Sequence, residues 1–143
     1  MVKNIARGVG LLAAVAAFGL LAAGSTDGTS LSGDYVAQSQ DAGSHQAVNI
    51  SGDTVIYVMT STSGGAVIHN GEISKREKDK ETGLVTAFGS CEITVKVSGR
   101  SIGESPGSFR LEQRKEGGKT VLDYTYRNKS SSRGEITLTL VKE

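Results

Sequence analysis

The residues that could do chemistry are few. Gly103-Glu104-Ser105-Pro106-Gly107 has the G-x-S-x-G spacing that exposes a nucleophilic serine on a tight strand-to-helix turn. The residue after that serine must lend its backbone N–H to the oxyanion, and Pro106 has none to lend. No histidine follows Ser105, although the order of such a triad needs one. The five residues are therefore read as a Ser-Pro-Gly turn. His45, His69 and Cys91 are the metal-ligating types, but their spacing matches no ligand motif, and no metal or cofactor is assigned. No carboxylate pair stands out for glycoside hydrolysis, because the acids fall at turns or on outward faces. Asn49-Ile50-Ser51 and Asn128-Lys129-Ser130 match the glycosylation acceptor pattern and are read as accidents of composition. The expectation is a protein that is not an enzyme.

Whatever the chain does must then rest on its elements and their surfaces. Its 143 residues suit one domain. Nineteen glycines, one proline and no tryptophan suit short strands joined by tight turns, because glycine adopts positive φ freely. The net charge of +1 includes Lys3 and Arg7 of a segment expected to be cleaved, and the remainder is close to neutral. That balance excludes a dedicated nucleic-acid binder, which carries a strongly basic face. The charge is uneven, with 4 basic against 9 acidic residues over 25–92, and 10 basic against 6 acidic over 93–143.

Residues 1–24 read as an export signal. Lys3 and Arg7 form the basic start, Val9 to Leu21 the apolar stretch, and Ala22-Ala23-Gly24 the small-residue exit. The apolar stretch is short and diluted by glycine and alanine, which favours cleavage over permanent anchoring. The exit, Leu21-Ala22-Ala23-Gly24, resembles the lipobox of bacterial lipoproteins, with Ser25 standing where the lipidated cysteine belongs. A hydroxyl does not form that thioether, so either the protein is secreted in soluble form after an ordinary signal peptidase cuts the Gly24–Ser25 bond, or Ser25 replaces the cysteine of a lipoprotein attached to the outer face of the cell membrane, the account that the polar tether favours. Residues 25–30 read as a polar tether, and 31–143 as a single β domain. Cys91 is the only cysteine, so the domain has no internal disulfide and depends on its core.

The mature chain alternates with a period of two and shows no sustained helical period. Around Gly117-Gly118 a two-residue hairpin loop pairs Glu116 with Lys119, Leu111 with Tyr124, and Phe109 with Tyr126. Around Gly52-Asp53 the same logic pairs Ile50 with Val55 and Val48 with Tyr57. Further strands are predicted over Leu31–Ala37, Val67–Lys75, Leu84–Phe88, Glu92–Val97 and Gly134–Lys142. Cys91, just ahead of one of them, is assigned to the face opposite Ile93, Val95 and Val97. Lys75 to Gly83 reads as a solvated hairpin tip, Asn128 to Gly134 as a serine-rich connection, and Thr60 to Gly65 as a loop at an open barrel end. The expected core holds Phe109, Leu111, Leu122, Tyr124, Ile136, Leu138, Val95 and Tyr57. Eight or nine strands without a helix predict an all-β antiparallel meander, a small barrel or alternatively a β-sandwich.

The order Leu31-Ser32-Gly33-Asp34-Tyr35, Val48-Asn49-Ile50-Ser51-Gly52-Asp53, Gly71-Glu72-Ile73 and Ile93-Thr94-Val95-Lys96-Val97 resembles small Gram-positive bacterial envelope lipoproteins with a lipocalin-like β-barrel. The lipocalin G-x-W signature has its counterpart in Gly33-Asp34-Tyr35. The resemblance implies a binding or envelope-interaction module outside the cytoplasm. Two expectations follow. One is a protein that engages an envelope or invading protein through its surface, such as an exclusion or immunity-type protein. The other is a carrier of a small apolar ligand. The inward set, with Phe109, Tyr57, Tyr124 and Tyr126, is bulky enough to fill an eight-stranded barrel itself, which favours the first.

Overall fold

The structure, a computed structural model, describes residues 31–39 and 43–143. The export segment, the tether and Ser25 lie outside the described residues. Eight strands follow one another in chain order: β1 Gly33–Ala37, β2 Ser44–Ser51, β3 Thr54–Ser61, β4 Gly65–Lys78, β5 Val85–Val97, β6 Arg100–Glu116, β7 Lys119–Asn128 and β8 Glu135–Lys142. Each pairs antiparallel with the next, and β8 returns to β1 to close a barrel. Barrel, not sandwich, is the architecture.

Local chemistry sets most of the register. Gly52 and the Gly117-Gly118 pair have positive φ, which the tight turns of two-residue hairpins require. The pairings Glu116↔Lys119, Leu111↔Tyr124, Phe109↔Tyr126, Ile50↔Val55 and Val48↔Tyr57 all form as the alternation predicts. The seam between β1 and β8 is shorter. It pairs Tyr35 with Lys142, Val36 with Val141 and Ala37 with Leu140. Backbone bonds from Gln38 N to Thr139 O (2.8 Å) and from Glu143 N to Asp34 O (2.9 Å) extend it. Side chains strengthen the same region from outside. Arg114 Nε donates to Asp123 (2.6 Å), Arg114 Nη1 to Glu116 (2.8 Å), Thr139 Oγ1 to Asp123 (2.8 Å) and Gln38 Nε2 to Glu116 (2.8 Å). The paired carboxylates raise the Arg114 pKa, and the hydrogen bonds from Gln38 and Arg114 lower that of Glu116.

Five expectations need correction. The strands predicted over Leu84–Phe88 and Glu92–Val97 are one strand, β5, because Gly89 is a packing position within it and not a turn. Continuity puts Cys91 on the same inward face as Ile93, since residues two apart share a face; the thiol is free and buried. Gly103 to Gly107 is not a turn but the interior of β6. Pro106 is tolerated there because its side of the strand lies at the end of β7: its carbonyl accepts Lys129 N (2.9 Å), and its missing N–H falls at an open edge. Val95, Ile136 and Leu138 are only half-buried, because they line the end of the barrel opposite Leu31. The loops also shrink: β3 runs to Ser61, leaving 62–64 between strands, and β4 stays paired with β5 as far as Lys78.

The core fills the barrel from its closed end. Leu31 is fully buried beneath β1, and its carbonyl accepts the Tyr35 hydroxyl (2.7 Å), whose pKa burial pushes up to about 12. Ile50, Val55, Val85, Leu111, Leu122 and Leu140 pack above it. Higher up, Phe109 lies against two glycines. A Cβ on Gly71 would stand 2.8 Å from Phe109 Cε2, and one on Gly89 would stand 2.5 Å from Phe109 Cζ and collide with the Glu72 carbonyl. These glycines make room for a ring, and their φ is unremarkable. Gly89→Ala should therefore destabilise the fold by about 1–3 kcal/mol through overpacking. Leu111→Ala should cost about 2–5 kcal/mol by leaving a cavity. Urea unfolding followed by circular dichroism measures both, and a wild-type midpoint for either variant would contradict this packing.

Candidate functional site

Two features of the barrel stand out, one inside and one outside. Inside, the alternation of β4 turns His69, Gly71 and Ile73 inward, and the register sets His69 beside Tyr57 on β3 and Ile93 on β5. His69 is 1% exposed. Its Nδ1 shares a hydrogen bond with the Tyr124 hydroxyl across the barrel (2.7 Å). Its ring centroid lies 4.4 Å from that of Tyr57 and 4.6 Å from that of Tyr126, while Tyr57 stacks on Tyr124 at 5.5 Å and Phe109 closes on Tyr124 at 6.0 Å. Such spacings are those of favourable tilted and offset ring pairs. Together the rings occupy the waist of the barrel.

Burial decides the chemistry of this cluster. It pushes the His69 pKa down from 6.5 to about 4, so the imidazole is neutral at physiological pH. It raises the pKa of Tyr57 and Tyr124, so both phenols keep their protons. It also pushes the Cys91 thiol up to about 11, far from a reactive thiolate. Ser105 shares a row of the register with His69, but Ile93 lies between them and no hydrogen bond joins the two. The nucleophile spacing thus meets no base.

The other singled-out residues do not converge. His45 is exposed on β2, far along the barrel wall from His69. Among the described residues, no three of His, Cys, Asp and Glu come together to hold a metal ion. Asn49 is buried and its Nδ2 donates to Asp34 (2.6 Å), which removes it from any glycan chemistry, while its Oδ1 has no partner. Asn128 caps its own connection by accepting from Ser130 N (2.9 Å).

Outside, β4, β5 and β6 are the three longest strands, and their outer faces form an open groove of about 580 Å³. Asn70, Glu72, Ser90, Glu92, Glu104 and Pro106 border it. None of the three glutamates is in an ion pair among the described residues, whereas Arg110 and Arg114 of the basic half are matched to Glu112, Glu116 and Asp123. The positive charge of 93–143 is therefore partly neutralised on the barrel wall. Nothing in the sequence marked the groove, because it comes from side chains on three strands. The role of His69 was hidden for the same reason: a lone histidine in an alternating strand looks like any other residue until its partner on β7 is known. Comparison with known protein families, curated proteins and solved structures found no match.

The His69 environment has a consequence for stability. The unfolded chain takes up a proton on this residue near its ordinary pKa of 6.5, whereas the folded chain resists until about 4. Folding stability is thus fully present above the higher value and declines as pH falls through the window between the two, by up to about 1.4 kcal/mol per pH unit. In His69→Gln that decline should be smaller, measured as urea midpoints from pH 7 to pH 4. An identical pH dependence in both proteins would contradict the burial argument.

Proposed function

We propose that the chain is an exported protein of the bacterial cell envelope that binds a protein partner through its outer surface, in the manner of an exclusion or immunity-type protein. The observation that carries this reading is the filled waist. An eight-stranded barrel has an interior only just wide enough for side chains or one small ligand. Here Tyr57, His69, Tyr124 and Phe109 take up that space, each buried and in contact with the next. Function then falls to the outer faces and the ends. The buried histidine and high-pKa thiol supply neither base nor nucleophile at neutral pH, which supports a binding role over a catalytic one.

Export rests on the basic, apolar and small-residue order of 1–24, and attachment to the outer face of the membrane on the lipobox-like exit before Ser25. A second reading, a lipocalin-like carrier of a small apolar ligand, draws on the half-buried inward residues Met59, Val67, Tyr126 and Leu138 at one end of the barrel. It would place a ligand above the rings and not among them.

Two measurements test these readings. Cells making the full chain should show it translocated and processed, and Ser25→Cys should convert it to a globomycin-sensitive, membrane-bound form. Uncleaved protein in the cytosol would contradict export, and absence of lipid on Ser25→Cys would contradict the lipobox reading. Native mass spectrometry of protein from its own host should show the bare chain. A retained lipid or other small molecule would reverse the order of the two functions.

A further inference from the structure

We infer that the barrel end at the β5–β6 hairpin is the docking surface, and that it takes an extended acidic segment of a protein partner along the open edge of β6. This rests on the surface-binding reading and names the surface and the chemistry of the partner.

The first observation is an incomplete edge. β6 begins at Arg100, but β7 pairs with it only from Gly107 to Glu116. After the bond from Lys129 N to the Pro106 carbonyl the chain turns back on itself: Ser130 N bonds Asn128 Oδ1 (2.9 Å) and Ser131 N bonds the Asn128 carbonyl (3.1 Å). Residues 100–105 are therefore paired with β5 on one side and, among the described residues, with no strand on the other. Free backbone N–H and C=O groups on such an edge are a template for an added strand.

The second observation is apolar. Val97 (46% exposed) and Ile102 (65% exposed) are the large hydrophobic residues exposed among the described residues, and both lie at this tip. The register shifts there, with Val95 opposite Gly103 and Lys96 opposite Ser101, so Ile102 is the extra residue of a bulge and stands out from the ladder.

The third is charge. Lys96 and Arg100 flank the tip, and Lys129 and Arg133 lie on the adjoining connection; none is in an ion pair among the described residues. At the opposite end Arg76 and Arg114 are matched to Asp53, Asp123 and Glu116, while Lys78, Lys80, Lys115 and Lys119 are in no ion pair among the described residues, so what sets the tip apart is that its cations surround exposed apolar side chains. Unpaired cations around an apolar tip complement carboxylates. Glu104 on the edge and Glu92 beside it on β5 disfavour carboxylates near them, which confines the acidic residues of the added segment to the Lys96, Arg100, Lys129 and Arg133 end.

The same features select among occupants. A second copy would bring the same cations against this edge, and like charges brought face to face disfavour that pairing. An anionic lipid surface would satisfy the cations and Ile102 but leave the edge backbone unpaired.

The test titrates the purified full-length chain with a fluorescent peptide of alternating Glu and Val, with its Lys-for-Glu counterpart, and with phosphatidylglycerol vesicles. The Glu peptide should bind in a salt-sensitive manner and slow amide exchange at the 101–104 edge. Ile102→Asp, and separately Lys129→Glu with Arg133→Glu, should each weaken it about tenfold with unchanged circular dichroism. Equal binding of both peptides, binding to vesicles alone, or affinity unchanged in the variants would overturn the proposal. Photoreactive residues placed at Ile102 and at Ser90 in intact cells separate this proposal from the reading beneath it. A protein adduct from Ser90 with none from Ile102 would overturn the docking surface and leave the surface-binding function standing. No adduct from either position would overturn both.

Discussion

The hydrogen bond between His69 on β4 and Tyr124 on β7 spans the barrel, and the packing of its waist depends on it. Closure of eight strands pairs each strand with both neighbours over much of its length but leaves an interior that must be filled. Here the filling is done by rings whose polar atoms would be costly to bury alone. The tyrosine and the histidine satisfy each other, which lets both lie in the core. Phe109 completes the layer because Gly71 and Gly89 leave it room. No disulfide reinforces the domain, so the strands are held by their pairing and by the packed interior.

A filled waist also divides the molecule. Below it, Leu31, Tyr35 and the aliphatic residues seal the end at which β1 begins and β8 finishes. Some of the charges there are matched to one another, as in the Arg114, Asp123 and Glu116 group. Above it the apolar residues are half-buried, β6 runs on beyond the end of β7, and Lys96, Arg100, Lys129 and Arg133 are in no ion pair among the described residues. The polypeptide enters at the sealed end.

How much of this was legible in the sequence follows from the range of the interactions. The hairpins at Gly52-Asp53 and Gly117-Gly118 were readable in full, because turn chemistry and alternation are local and agree on one register. Gly89 and Pro106 misled for the opposite reason. Both are turn formers by local rule, yet the one is kept by a ring on the next strand and the other by the place where β7 ends. Cys91 followed Gly89, since a false break in β5 moved it to the wrong face. His69 could not be recognised as structural before its partner, 55 residues away, was placed beside it. The outer groove and the open edge of β6 likewise depend on strand lengths that only pairing reveals.

The claim at the centre of this account is that the barrel is occupied by its own side chains and works from the outside. Solution NMR of the full chain titrated with palmitate addresses it directly, by following the ring resonances of Tyr57, His69, Phe109 and Tyr124. The account predicts that these signals stay in place while the protein remains folded. Saturable shifts of these rings, with new contacts between them and the acyl chain, would contradict it.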